Sequence, residues 1–485
     1  MALFQILRGK AANLAGKAFH DGYAYLTPDD GAFYIDAETD GKQKRIHINP
    51  KPDLQELTAD EVQSAWDSYP PPPSCFLTFS SPSAFSIDAG DPSWDGVMKY
   101  STDTIKWCTW DGSEISAVDA GGEYKLYLAG TSNTIVTGGT SSQKKWTLTG
   151  SNIACSGNIE SLLDHATVAA GNHPTMGNNC YSYMFNNCTG LIMAPELPSV
   201  TLSANCYAGI FQGCTSLTTA PALPATTLAG NCYQSMFADC TSLAVAPELP
   251  AVTLADYCYD GMFKGCTGLT AAPALPATTL AGNCYYCMFY GCTGLTSAPE
   301  LPATTLATDC YGGMFYGCIA LSAAPALPAM ALANDCYSCM FYGCTTLATA
   351  PALPATTLAN SCYSDMFNGC TSLTTAPALP ATALDVACYA GMFKGCISLT
   401  AIPELQATTL PLICYQFMFE NCTNIKLSST QTGNYTLAYR IPTSGTGTRY
   451  DGNSLNDMFA GTGGTFTGTP KINTTYYLET SNTIV

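Results

Sequence analysis

Charge is scarce in this chain: 11% of its 485 residues are Asp, Glu, Lys or Arg, and the balance is −18. A negative chain repels phosphate backbones and anionic lipid, which argues against nucleic-acid and membrane-surface partners. No apolar run approaches the roughly 20 residues needed to span a bilayer, so no membrane insertion is expected. Histidine is scarcer still. His20, His47, His165 and His173 lie outside the repeated part of the chain, and none has a carboxylate or cysteine at nucleophile or metal spacing. No glycine-rich phosphate loop follows a strand, and paired acids such as Asp29-Asp30 sit in turns, where solvation accounts for them. No catalytic residue, metal or cofactor is therefore expected. The first ten residues lack a basic region followed by a sustained apolar stretch, so no secretory signal is expected either.

What is abundant is repetition. The pattern C-Y-x-x-M-F-x-G-C-T-x-L-T-x-A-P-x-L-P-A-x-T-L occurs ten times between Cys180 and Cys422, with first cysteines always 26 residues apart. A fixed period in this range predicts a solenoid, whose units bury a core only against their neighbours. In the unit that follows Asn205, the residues Cys206, Ile210 and Cys214 are spaced i, i+4, i+8 beside Phe211, which predicts one face of a two-turn helix. Asn205 is an N-cap type, and Gly213 suits a left-handed helix C-terminus. Leu217, Leu223 and Leu228 should point inward. Pro221 and Pro224 limit the strand to about three residues, Thr218 to Ala220, before an extended stretch, because proline cannot donate to a ladder.

Twenty of the 25 cysteines occupy the two repeat columns. With no secretory signal expected, buried free thiols in two internal ladders are the expected state. Cys284-Tyr-Tyr-Cys287 and Cys336-Tyr-Ser-Cys339 have the C-x-x-C spacing of zinc sites. They lie two coils apart, about 10 Å at one strand spacing per coil, and have no nearby histidine.

The Met-Phe pair, the G-C-T-x-L segment and the following Leu-Pro resemble the leucine-rich repeats of the BspA-like family of bacterial surface and phage-associated proteins, from about Cys180 to Ile425. The resemblance implies an α/β solenoid of ten units, each with a short helix, a short strand and a Pro-rich segment. The unit departs from the commoner form of that family, which is shorter and has one proline.

The flanks divide further. Phe19 to Tyr25 and Asp30 to Asp36 alternate aromatic and polar residues around Asp-Gly and Pro-Asp turns, which predicts hairpins within residues 1–52. This part is similar to the N-terminal region of prophage tail-fibre proteins, and the similarity implies attachment and trimerisation. Thr58-Ala-Asp-Glu61 is a capping box opening a helix to about Trp66, and Pro70 to Pro73 a stiff spacer, so 53–73 read as a linker. Residues 74–150 read as a small β domain, with strands expected at Cys75–Phe79, Val97–Ser101, Lys106–Trp110, Tyr124–Leu128 and Trp146–Leu148. Residues 151–179 should hold an atypical first coil. Residues 423–485, where Met458-Phe459 echoes the repeat with Thr462 in the cysteine place, should cap the core.

Comparing units, the column after the Phe varies most and contains Tyr290, Tyr316 and Tyr342 on consecutive coils; Tyr286 lies four residues before Tyr290, on the same predicted helix face. Tyrosine combines apolar area with a polar tip, so these four are the candidate binding residues, for a bacterial surface protein or glycan. The function expected from this reading and the resemblance together is a phage or prophage tail-fibre, receptor-binding protein. It would be located in the virion tail and would form a homotrimer through 1–52 beside other tail proteins. A bacterial cell-surface adhesin is the alternative, and a carbohydrate-active enzyme the more distant one, for want of an acid pair.

Overall fold

The computed structural model describes residues 75–90, 92–139, 145–450 and 452–485, and before these the backbone of four strands. The chain forms two compact units, 1–69 and 70–485. In the first, β1 (Ile6–Arg8), β2 (Ala24–Thr27), β3 (Ala32–Thr39) and β4 (Lys42–Ile48) make one sheet in sequence order. The β2–β3 and β3–β4 pairs are antiparallel, so the alternating aromatic segments do form hairpins, while β1 joins β2 in parallel. The expected 58–66 helix and the Pro70–Pro73 spacer lie outside the described residues.

The second unit opens with a β module built on β5 (Leu77–Ser81), β6 (Ser86–Asp88), β7 (Val97–Ser101), β8 (Cys108–Thr109), β9 (Ile115–Ser116), β10 (Val118–Asp119), β11 (Tyr124–Thr131), β12 (Thr147–Thr149) and β13 (Ile153–Ser156). All five expected strands have counterparts, shifted by up to three residues; β6, β9 and β10 are too short for period-2 alternation to reveal. The sheet does not stop at the module. β13 pairs antiparallel with β5 and parallel with β14 (Leu191–Met193), which belongs to the first repeat unit. A helix, Ser161–Ala169, packs against β11 and breaks at Asp164 (φ −152°, ψ 101°).

From Cys180 onward regular units stack at the 26-residue spacing. The expected two-turn helix does not form. Instead, Asn205, Gly209 and Gly213 all have positive φ (56°, 58°, 73°), and the equivalent three columns are positive in every one of the ten units. No α-helix tolerates a left-handed residue at every fourth position. The segment is a ribbon of overlapping turns. Even-numbered amides close them locally (Ala208 N to Asn205 O 3.2 Å, Ile210 N to Tyr207 O 3.3 Å, Gln212 N to Gly209 O 3.1 Å). In the Tyr207–Ile210 turn, as in the Ser203–Cys206 and Phe211–Cys214 turns beside it, the positive φ falls on the third residue, where a type II turn requires it. Odd-numbered amides donate instead to the next coil: Asn205 N to Gly230 O, Tyr207 N to Cys232 O, Gly209 N to Gln234 O, Phe211 N to Met236 O and Gly213 N to Ala238 O, at 2.7–3.0 Å. Every amide of the ribbon is thus satisfied without a helix, and all the odd ones point the same way along the stack.

The expected three-residue strand also shrinks. Outside the first unit, pairing between interior coils is by single bridges on either side of the Leu-Pro, such as Thr219↔Val245 and Thr201↔Thr227. The prolines between the two columns have no N–H to extend them.

Cys206, Tyr207, Ile210, Phe211, Cys214, Leu217 and Leu223 and their equivalents are buried. Rings stack coil upon coil, tyrosines from Tyr181 to Tyr415 at 5.6–6.0 Å between centroids. Phenylalanines from Phe185 to Phe419 do the same at 5.6–5.8 Å. The Phe ladder ends on Phe459 at 5.4 Å, inside an eleventh ribbon whose carbonyls, from Ser454 to Ala460, accept from the tenth. The first ribbon's carbonyls are met by the β module: Val136 N and Thr137 N donate to Cys180 O, the Thr137 hydroxyl to Ser182 O, and Trp146 N to Met184 O.

The second cysteine column is more than apolar filling. From Cys214 to Cys422, each Sγ donates to the Phe carbonyl of the preceding unit, for example Cys292 Sγ to Phe263 O at 3.0 Å, nine bonds in all at 2.9–3.1 Å. No disulfide joins any of the cysteines.

Candidate binding surface

The turn ribbon decides where the variable columns point. In each ribbon the residues at the Cys, Tyr, Met and Phe places turn inward, and in the middle coils this leaves Tyr286 and Tyr290 at the surface, although the same columns are buried at Ser182, Asn186, Ala208 and Ala238. Tyr290, Tyr316 and Tyr342 are half-buried and lie one above another, with ring centroids 4.5 and 4.4 Å apart and planes within 13° and 3°. They stand closer than the internal tyrosines, so the outer faces of the middle ring are wholly covered by its neighbours. Lys264 Nζ sits 5.0 Å from the Tyr290 ring centre and covers the far face of that ring as a cation–π partner. The stripe therefore offers ring edges and hydroxyls rather than open faces. Burial, then the phenols of Tyr342 and Tyr290, push the Tyr316 hydroxyl up to about 12, so that phenol stays protonated and able to donate at neutral pH.

Tyr286 is 38% exposed and stands beside the stripe, not in it. Its ring leans over Gly312, whose missing Cβ would lie 3.0 Å from the ring, and the Sγ of Cys287 likewise leans over Gly313. The adjacent Cys287, then burial, push the Tyr286 hydroxyl up to about 12, and burial raises the Cys287 thiol to about 11. A thiol so raised is a poor nucleophile. The two C-x-x-C pairs are split by the ribbon: Cys284 and Cys336 are fully buried while Cys287 and Cys339 are half-exposed. Among the described residues, no group of three or more His, Cys, Asp or Glu side chains converges as a metal site would require.

Two polar clusters escape the sequence pattern. Glu160 is buried at 1% exposure; it accepts from the Ser199 hydroxyl and lies 2.7 Å from His173 Nδ1. The 13-residue separation of Glu160 and His173 carries no motif. Ser199 did carry a signal, since the same column is Ala in the eight following units, Ala225 to Ala407. The cluster fastens the Ser161–Ala169 helix to the first repeat unit. In the β module, a cleft of about 430 Å³ is lined by Tyr100, Asp103, Lys106 and Glu114 among others. Asp103 is held below the usual carboxylate range by the amides of Lys106 and Ile105, which marks it as a turn acceptor rather than a proton donor.

Among the described residues, no helix is long and apolar enough to cross a membrane. Comparison with family models, with curated proteins and with solved structures finds no match to this chain.

Proposed function

We propose that this chain is a phage or prophage tail-fibre protein that binds a bacterial surface. In this reading residues 1–52 attach and trimerise the fibre, and a BspA-like leucine-rich-repeat solenoid presents the receptor-binding face. The observation that carries it is the tyrosine stripe: a column that drifts elsewhere in the array places three stacked, half-exposed phenols on consecutive coils, bounded by Lys264. Such rigid amphipathic rings supply contact area and hydrogen bonds at little entropic cost. With the faces covered, the ligand meets edges and hydroxyls, which suits a hydroxyl-rich glycan or a polar protein loop.

The test is binding of labelled protein to bacterial cells, first across a panel and then with variants against the strain it binds. Changing Tyr290, Tyr316 and Tyr342 together to Phe keeps the stack and removes the hydroxyls; changing all three to Ala removes both. Both variants should lose at least about tenfold in binding, since interface anchors typically contribute more than about 1 kcal/mol each. The Phe variant should keep the wild-type melting temperature, whereas the Ala variant should lose part of it, about 0.5–1.5 kcal/mol per stacked pair. Unchanged binding by the well-folded Phe and Ala variants would move the site off this stripe. Light scattering of the full chain, expected to give a trimer, tests the assembly part.

A further inference from the structure

The opposite face of the stack carries a second, independent pattern. Between its two proline columns, the second of which holds Gln406 in the last coil, each coil exposes one residue, and along the array these are Glu196, Ala222, Glu248, Ala274, Glu300, Ala326, Ala352, Ala378 and Glu404. Glutamate marks every second coil up to Glu300 and then skips until Glu404. Over the intervening coils, segments 319–330, 345–356 and 371–382 contain no charged residue at all. Here a groove of about 410 Å³ opens between Pro325 and Pro328 of one coil and Pro351 and Pro354 of the next, with Leu327 at its floor. Beside it Met330, 59% exposed, stands where neighbouring coils carry Thr304 and Thr356. The result is an uncharged apolar window on a chain of net charge −18, with one glutamate at each end.

The geometry points to a docking site for an extended protein segment, apolar in its middle and basic at both ends. Glu300 and Glu404 are four coils apart, about 19 Å at one strand spacing per coil. An extended chain covers that distance in about six residues. Basic residues at its ends would meet Glu300 and Glu404, and its apolar middle would cover the groove and Met330. Strand addition is not available, because Pro325, Pro328, Pro351 and Pro354 have no N–H to offer. Recognition therefore rests on side-chain burial plus charge at the two ends.

The test uses the full-length chain and the labelled, end-capped peptide Lys-Leu-Val-Pro-Leu-Lys. Two controls accompany it: one with Glu at both ends, and one with Ser, Gly and Asn in place of the apolar middle. The basic apolar peptide should bind at least about tenfold more tightly than either control at low salt, and its advantage over the Glu-ended peptide should shrink at high salt. Ala352→Glu should weaken it by at least about tenfold. That variant is expected to fold, because Glu196, Glu248, Glu300 and Glu404 occupy the same exposed column. Failure of the basic apolar peptide to bind, equal affinity for the controls, or indifference to Ala352→Glu would each overturn the proposal. So would an Ala352→Glu-sensitive dimer in light scattering, which would identify a second copy of the chain as the occupant.

Discussion

The thiol-to-carbonyl ladder makes a demanding prediction, because it separates two cysteine columns that look alike in sequence. Cys284 and Cys292 are both fully buried in the same unit. Cys292 Sγ donates to Phe263 O, a carbonyl that also accepts Cys266 N at 3.0 Å, so both its lone pairs are used. Cys284 Sγ has no such bond; burial, opposed by the amides of Ala281 and Tyr285, pushes that thiol up to about 12, and the neighbouring Ala281 carbonyl already accepts Cys284 N. Serine at 292 keeps a donor facing an acceptor and loses mainly sulfur contacts. The retained bond offsets part of that loss, leaving a cost of about 1 kcal/mol or less. Serine at 284 buries a hydroxyl where the thiol had no hydrogen-bond partner and should cost about 1–3 kcal/mol. Alanine at 292 removes bond and sulfur together, about 1–2 kcal/mol by analogy with other single-group core deletions. The expected order of destabilisation is therefore Cys292→Ser least, then Cys292→Ala, with Cys284→Ser at or above it. Urea midpoints under reducing conditions decide the order, and the S–H stretching band should resolve a hydrogen-bonded thiol population that Cys292→Ser diminishes. If Cys292→Ser costs as much as Cys284→Ser, or more than Cys292→Ala, the bonds contribute nothing and the column is only packing.

Two further outcomes follow from the ribbon's left-handed columns. Ile413 is a β-branched residue at φ 51° where six units have Asn or Asp, so Ile413→Asn should stabilise the protein by about 1 kcal/mol, read as a raised thermal midpoint; a lowered midpoint would show that its side-chain contacts outweigh the backbone strain. In the same column burial and the neighbouring Asp335 raise the Asp309 carboxyl above its usual range, and burial raises Asp335. Their folded-state affinity for protons exceeds the unfolded one, so stability should fall as pH rises above about 4, the unfolded carboxyl's range, and through the raised folded-state one. Asp335→Asn should flatten that slope and raise the neutral-pH midpoint, and an unchanged slope would count against the pair.

The period of the array was legible because identical columns must stack, and burial of Cys206, Phe211, Leu217 and Leu223 followed from it. The helix was misread for a physical reason. Buried pairs recurring every four residues resemble a 3.6-residue period over so short a segment. The distinguishing sign is that left-handed residues recur at the same interval. That sign is plain at Asn205 and Gly213 but hidden at the middle column, where Tyr183, Ser235, Cys287 and Phe417 take positive φ beside Gly209 and Gly261. The tyrosine stripe was legible as a column, but not its ring stacking, because spacing fixes the coil step and not the tilt of a side chain. The Glu160–His173 contact depends on a loop that carries no periodic signal at all.

The ribbon's one-way hydrogen bonding has an electrical consequence. In ordinary paired strands, amides alternate in direction and their dipoles largely cancel. Here the odd-numbered amides of every ribbon, Asn205 to Gly213 and their equivalents, donate toward the C-terminal end of the stack, and their partners are carbonyls facing back. The rows add head to tail as in an α-helix, but with the opposite sense: the negative pole lies at the first ribbon and the positive pole at the last. The amides of Val136, Thr137 and Trp146 and the Thr137 hydroxyl sit on the negative pole. The β module is thereby a counter-charge for the whole array as well as a plug for its core, and an array without it would begin with a row of unpaired carbonyls and a field to match.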